Sequence, residues 1–198
     1  FVDIDPETLN IDVGKLAEKV REIGGRGGSG AGRLKALLPV HVFGRPCDMT
    51  AVMGIAGESG LEVIEDACEA PGAGVRDEAA GGVWRIAGTF GRCSAFGFYP
   101  NKQMTTGEGG IVVTDDDAIA ALCRSMRNQG RSESAAWLQH ERLGYNYRLS
   151  DINCALGLGQ LARLPGMLAK RERVAGWYRE ALRGLGDVIV PEARAGER

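Results

Sequence analysis

Residues 36–66 read ALLPVHVFGRPCDMTAVMGIAGESGLEVIED. Two apolar runs, Ala36 to Phe43 and Leu61 to Glu65, bracket a segment in which Val52, Met53, Ile55 and Ala56 recur at helical spacing. Pro46 and Asp48 mark a turn into that helix, and Gly60 marks its end. A strand, a helix and a strand within about thirty residues make a βαβ unit, so the two strands lie parallel in one sheet. Working outward, Cys93 to Phe98 and Gly110 to Thr114 read as further strands, and Val13 to Ile23 has a helical pattern. Asp115, Asp116 and Asp117 open a helix with Ile119, Leu122 and Met126 on one face, their charges suiting the positive end of its dipole. Ser150 is the expected N-cap of another helix, with Ile152, Ala155, Leu156 and Leu161 at helical spacing. Pro165 is expected to kink or break it before a second helical stretch, Met167 to Leu185. The charged run Lys170 to Arg173 reads as a solvated face, and the tail after Val190, which lacks apolar periodicity, as mobile. The fold class is therefore α/β, a mostly parallel sheet with flanking helices.

Composition excludes several functions. The net charge of −2 leaves no electrostatic footprint for nucleic acid. No apolar run approaches the length of a membrane span, and the opening residues do not form a signal peptide. The five cysteines are scattered without a CxxC, which argues against a disulfide framework and against zinc, and fits small buried residues in a reducing cytoplasm. Two histidines, His41 and His140, are too few for most metal sites, and no metal is expected. In GGRGGSGAG, residues 24–32, Gly25, Gly27 and Gly30 match the GxGxxG dinucleotide fingerprint. That fingerprint needs a strand before it and a helix after it. Here the order is reversed, so the stretch reads as a flexible surface connection.

Functional groups in parallel sheets gather just beyond the carboxyl ends of the strands. Asp66 follows LEVIE directly, either as a cap for a following turn of helix or as a carboxylate that meets a positive group. Lys102 follows another strand, between Tyr99-Pro100 and the flexible Gly107, Gly109 and Gly110. Alone it reads as a surface lysine. Together with Asp66 at the same sheet edge it suggests pyridoxal phosphate (PLP), with the lysine carrying the cofactor covalently and the aspartate pairing with its pyridinium nitrogen. The lysine, once displaced by a substrate amine, is placed to move a proton.

The letters around these residues carry a resemblance. VIEDACEA (63–70), FYPNKQMTTGEGG (98–110) and LGYNYRLSDINCALG (143–157) resemble the DegT/DnrJ/EryC1/StrS family, as do FVDIDPETLNID (1–12) and LPVHVFGRPCDM (38–49). The likeness runs from Phe1 to about Leu182. It implies the PLP-transferase fold type I and an aminotransferase acting on a keto sugar nucleotide, with glutamate as donor, in polysaccharide, lipopolysaccharide or antibiotic sugar biosynthesis. It implies that Lys102 holds the cofactor and Asp66 pairs with its ring nitrogen. Glu69 falls where many members have Gln or His near the ring hydroxyl, and Asn146 matches an asparagine that reaches the PLP phosphate of the neighbouring subunit in a homodimer. Residues 1–164 would be the major part of the PLP-binding large domain, and 165–198 a helical connection to a small C-terminal domain that is cut short. The chain departs from the pattern in two ways. Gly97 stands where many members have a phosphate-binding serine, and the segment that precedes the VDIDP region in members is absent. The alternative is a non-catalytic fragment or remnant, distinguishable by the reading frame upstream of Phe1. Related PLP-dependent dehydratases replace the lysine with histidine, so Lys102 argues against that activity.

Overall fold

The computed structural model describes residues 1–25, 33–131, 139–193 and 195–197. Most of the glycine-rich connection, residues 26–32, lies outside them. The elements are helix α1 (Val13–Gly25), strand β1 (Ala36–Leu37), helix α2 (Met49–Ser59), strands β2 (Glu62–Asp66), β3 (Gly74–Asp77), β4 (Val83–Ile86), β5 (Cys93–Gly97) and β6 (Gly110–Val113), and helices α3 (Asp117–Arg127) and α4 (Asp151–Leu182). The main sheet has the order β1-β2-β5-β6. β1 pairs with β2 and β2 with β5 in parallel, while β6 runs antiparallel to β5.

Local chemistry sets the βαβ unit. The Asp48 carboxylate accepts the Ala51 N–H at 3.0 Å and caps the start of α2. Gly60 ends the helix in the left-handed region at φ 62°, where a Cβ would be strained. α1 and α2 then cover one face of β1 and β2, and Leu16, Val20, Leu37, Met49, Val52, Ala56 and Val63 form the core between them. Strand alternation sends Val63 and Glu65 to this covered face and Ile64 to the other. The first apolar run is strand only at Ala36–Leu37. Val40 adds a single parallel bridge to Asp66, and Val42–Gly44 form a turn of 3-10 helix.

Three expectations are corrected and one element was not foreseen. α4 continues through Pro165 without a break. Proline removes one backbone donor, and the rungs on either side suffice to propagate a helix already formed. The tail is not loose at its described end. The Arg76 N–H donates to the Gly196 carbonyl at 2.8 Å, and Arg45 forms an ion pair with Glu197 at 3.1 Å. The cysteines are free thiols, but only Cys47 is buried, and Cys154 is exposed. The hairpin β3–β4, turned at Gly81 and Gly82, was not foreseen. Among the described residues no helix is long and apolar enough to cross a membrane, and no His/Cys/Asp/Glu group is arranged to hold a metal ion.

Candidate active site

Because β2 and β5 are parallel neighbours, their carboxyl ends open at the same sheet edge, with Asp66 in register with Ala95. Asp66 Oδ1 accepts the Cys68 N–H at 3.1 Å. This closes a turn of Asx type rather than capping a helix, since no helix follows. From the end of β5 the chain passes through Tyr99 to Lys102, whose N–H donates to the Tyr99 carbonyl at 3.0 Å. The Lys102 ammonium meets Glu69 Oε1 at 2.8 Å, and both side chains are largely shielded, 17% and 32% exposed. Glu69 Oε2 accepts the Phe43 N–H at 2.8 Å. The hydrogen bond from Lys102, with that from Phe43, holds the Glu69 carboxyl below its ordinary range. Lys102, Glu69 and the Asp66–Cys68 turn thus share one edge. Burial, then the Asp66 carboxylate, push the Cys68 thiol up to about 11, and the Lys102 charge opposes them.

The loop that carries Lys102 is held from several sides. The Thr106 N–H and the Thr105 hydroxyl both donate to the Phe98 carbonyl, at 3.0 and 2.9 Å. From α4, Asn153 donates to the Thr106 carbonyl at 2.5 Å, and Arg171 donates to the carbonyl of Lys102 itself at 3.2 Å. Gly109 is required here. Its φ is 143°, and a Cβ would lie 2.7 Å from Leu149 Cδ1 and 2.8 Å from Thr106 Oγ1.

Asn146 lies apart from this group. It is exposed, and its backbone bridges to Asn128 at the end of α3, where the Tyr147 N–H donates to the Arg127 carbonyl at 2.9 Å. The structure therefore brings together Lys102, Glu69 and Asp66, and leaves Asn146 outside their hydrogen-bonded network.

Sequence reasoning missed two residues behind the edge. Glu65 and His41 are both fully buried, and His41 Nε2 lies 3.0 Å from Glu65 Oε2. Glu65 also accepts the N–H groups of Gly88 at 2.7 Å, Phe90 at 2.7 Å and Gly91 at 2.6 Å. Burial raises the Glu65 pKa, but these four donors together outweigh it and hold the carboxyl below its ordinary range. The available signal was a charged residue on the covered face of an apolar strand.

A family model described as the DegT/DnrJ/EryC1/StrS aminotransferase family matches residues 1–198. The chain belongs to this family. It is 41% identical over 190 residues to a GDP-perosamine synthase of Caulobacter vibrioides, covering 96% of this chain and 46% of that protein. It is 38% identical to a UDP-N-acetyl-3-dehydro-alpha-D-glucosamine 3-aminotransferase of Acidithiobacillus ferrooxidans, over 99% of this chain and 48% of the relative. Among solved structures, a DegT/DnrJ/EryC1/StrS aminotransferase from Brucella abortus matches with a TM-score of 0.87 at 34% identity, covering all of this chain and 50% of its own. The chain spans about half the length of the curated relatives it matches. The fold is that of the family's PLP-transferase fold type I, and the family's aminotransferases are PLP-dependent.

The residues present fit the ring end of that cofactor. An amine and a carboxylate stand at the ends of neighbouring parallel strands, and the amine is already oriented by a second carboxylate. Gly97 contributes no hydroxyl for a phosphate, and a Cβ there would lie 3.3 Å from Cys68 Cβ and 3.4 Å from its sulfur. A serine at 97 would require Cys68 to give by a few tenths of an ångström.

Proposed function

We propose that this chain forms the cofactor-binding part of a PLP-dependent aminotransferase that passes an amino group, from glutamate by likeness to the family, to a keto sugar nucleotide. The observation that carries the reading is the Lys102 amine, shielded and oriented by Glu69 at the sheet edge that also bears Asp66. The names of the relatives support the substrate class, since both act on sugars attached to a nucleoside diphosphate. Residues 1–164 are read as the major part of the cofactor-binding domain and 165–198 as a helical connection to a small C-terminal domain, a division that falls within the continuous helix α4.

PLP, when bound, supplies a ring that takes up the electron pair released as an amino acid Cα–H bond breaks. Lys102 supplies the nucleophilic amine that carries it. Released from that role, the same amine would be free to take up the Cα proton and to move protons at the reacting carbons. Asp66 keeps a proton on the ring nitrogen, and its backbone, fixed between β5 and residues 39–41, keeps the carboxylate at the edge. Glu69 orients the amine and would stand near the ring hydroxyl of the bound cofactor. Asn146, exposed, would reach across a dimer interface to the phosphate of the neighbouring subunit's cofactor.

The test is amino transfer from 15N-labelled glutamate, followed by mass spectrometry of GDP- and UDP-linked keto sugars incubated with the PLP-loaded enzyme. Label is expected in the sugar nucleotide, and none with Lys102→Ala. Asp66→Asn is expected to lower transfer by orders of magnitude. Removing an ionic partner from a desolvated site costs about 3 kcal/mol or more, and each ~1.4 kcal/mol is tenfold in rate. Near wild-type turnover of Asp66→Asn would reduce Asp66 to a turn former. Label that reached only keto acids would move the substrate class away from sugars.

A further inference from the structure

We propose that the buried Glu65–His41 pair is the positioning device for Asp66, and so for the ring nitrogen of the bound cofactor. This deepens the functional reading above and rests on it. Glu65 immediately precedes Asp66 in β2, and strand alternation points the two carboxylates to opposite faces. The inner one is saturated. Oε2 meets His41 Nε2 and the Gly88 N–H, and Oε1 accepts from Phe90 and Gly91.

The histidine is equally committed. Its Nδ1 accepts the Cys47 N–H at 3.0 Å, so its own proton sits on Nε2 and is donated to Glu65. The backbone N–H of His41 donates to the Asp66 carbonyl at 3.0 Å, and the Asp66 N–H donates to Pro39 at 2.9 Å. The Ser94 hydroxyl donates to the Gly88 carbonyl at 2.7 Å and ties the loop that faces Glu65 to β5. Segments 39–47 and 88–91 are thus pinned to the same point of β2, one residue before the functional carboxylate.

An apolar core side chain would bury this position without the cost of desolvating a charge, and such replacements are often neutral or stabilising. It would not fix the register of two loops against one strand end. The carboxylate does so through four directional bonds. The outer carboxylate needs that support, because among the described residues a single backbone N–H, that of Cys68 at 3.1 Å, holds it.

The experiment uses the PLP-loaded enzyme with Glu65→Gln, Asp66→Asn and the double variant. It reads the PLP dissociation constant and the pH titration of the cofactor absorbance. Glu65→Gln is expected to weaken PLP about tenfold, the scale for losing an outer hydrogen-bond partner. It should also shift the absorbance titration in the same direction as Asp66→Asn. The double variant should be no weaker than Asp66→Asn alone, because Glu65 acts through Asp66. His41→Phe, which keeps a ring but neither nitrogen, should behave like Glu65→Gln and serves if that variant does not fold. The proposal is overturned if the folded variants bind PLP as wild type does, if the double variant multiplies the two losses, or if both Glu65→Gln and His41→Phe fail to fold, which would make the pair a builder of the fold. If wild type took up no PLP, or Asp66→Asn left the absorbance titration unchanged, the functional reading itself would fall.

Discussion

Lys102 ends a short turn on the Tyr99 carbonyl, and its ammonium rests on Glu69. Lys102 and Asp66 were legible in the sequence because each follows an apolar run, and position after a strand is a local signal. The Glu69–Lys102 pair was not legible, since it joins two loops that only the parallel pairing of β2 and β5 brings together. Glu65 and His41 were hidden for the same reason, and because Glu65 read as the last letter of an apolar strand. Cys68 and Gly97 show a second kind of coupling, in volume rather than charge. A serine at 97 would press on Cys68. Gly97→Ser alone is therefore expected to improve PLP affinity little, whereas Gly97→Ser with Cys68→Ala should improve it by more than the two single effects combined. The coupling expected between touching residues is about 0.5–1 kcal/mol. Dissociation constants for PLP on the four proteins check this, and additive effects would contradict it.

Caps made the helices readable. Asp48, Asp116 and Ser150 each accept an N–H from the first turn that follows, and each signal lies within a few residues of the helix it starts. The β3–β4 hairpin did carry a local mark, Gly81-Gly82 between its short strands, that went unread, whereas the continuity of α4 through Pro165 is supported by contacts distant in sequence, such as Leu168 packed over Gly72. The strand ends are also where acid should act first. Glu65 has a folded-state pKa below its ordinary value of 4.5. A depressed carboxyl adds stability that is fully present above its unfolded value and is lost as pH falls through the folded one. Urea unfolding midpoints should therefore fall steeply as pH drops below about 4.5. Glu65→Gln should be less stable at neutral pH, with a shallower acid dependence because the titrating group is gone. An unchanged acid slope in that variant would place the acid sensitivity elsewhere.

Apolar side chains stand exposed on both faces of β6 and along α4. Ile111, Val112 and Val113 on β6 are 51, 48 and 42% exposed, and Ile152 on α4 is 83% exposed. The helical spacing of Ile152, Ala155, Leu156 and Leu161 reads as the helix that α4 forms, and Ile152, Leu156 and Leu161 are exposed along it. Asn146 lies between Tyr145 and Tyr147, whose rings stack at 4.9 Å and line one cavity with Ile111, Val112 and Val113. If two copies exchange Asn146 across a symmetric interface, each asparagine serves the opposite lysine. Asn146→Ala and Lys102→Ala enzymes, each nearly inactive alone, should regain part of the wild-type activity when mixed into heterodimers. In such a dimer one site keeps both residues. No recovery in proven heterodimers would confine Asn146 to its own subunit.

Everything proposed for the site depends on Lys102 being the residue that carries PLP. Borohydride reduction of the PLP-loaded enzyme, followed by proteolysis and peptide mapping by mass spectrometry, reads that directly. The expected result is a pyridoxyl group on the peptide containing FYPNKQMTTGEGG, at Lys102. A pyridoxyl group on another lysine, such as Lys35, or no labelled peptide at all, would contradict it.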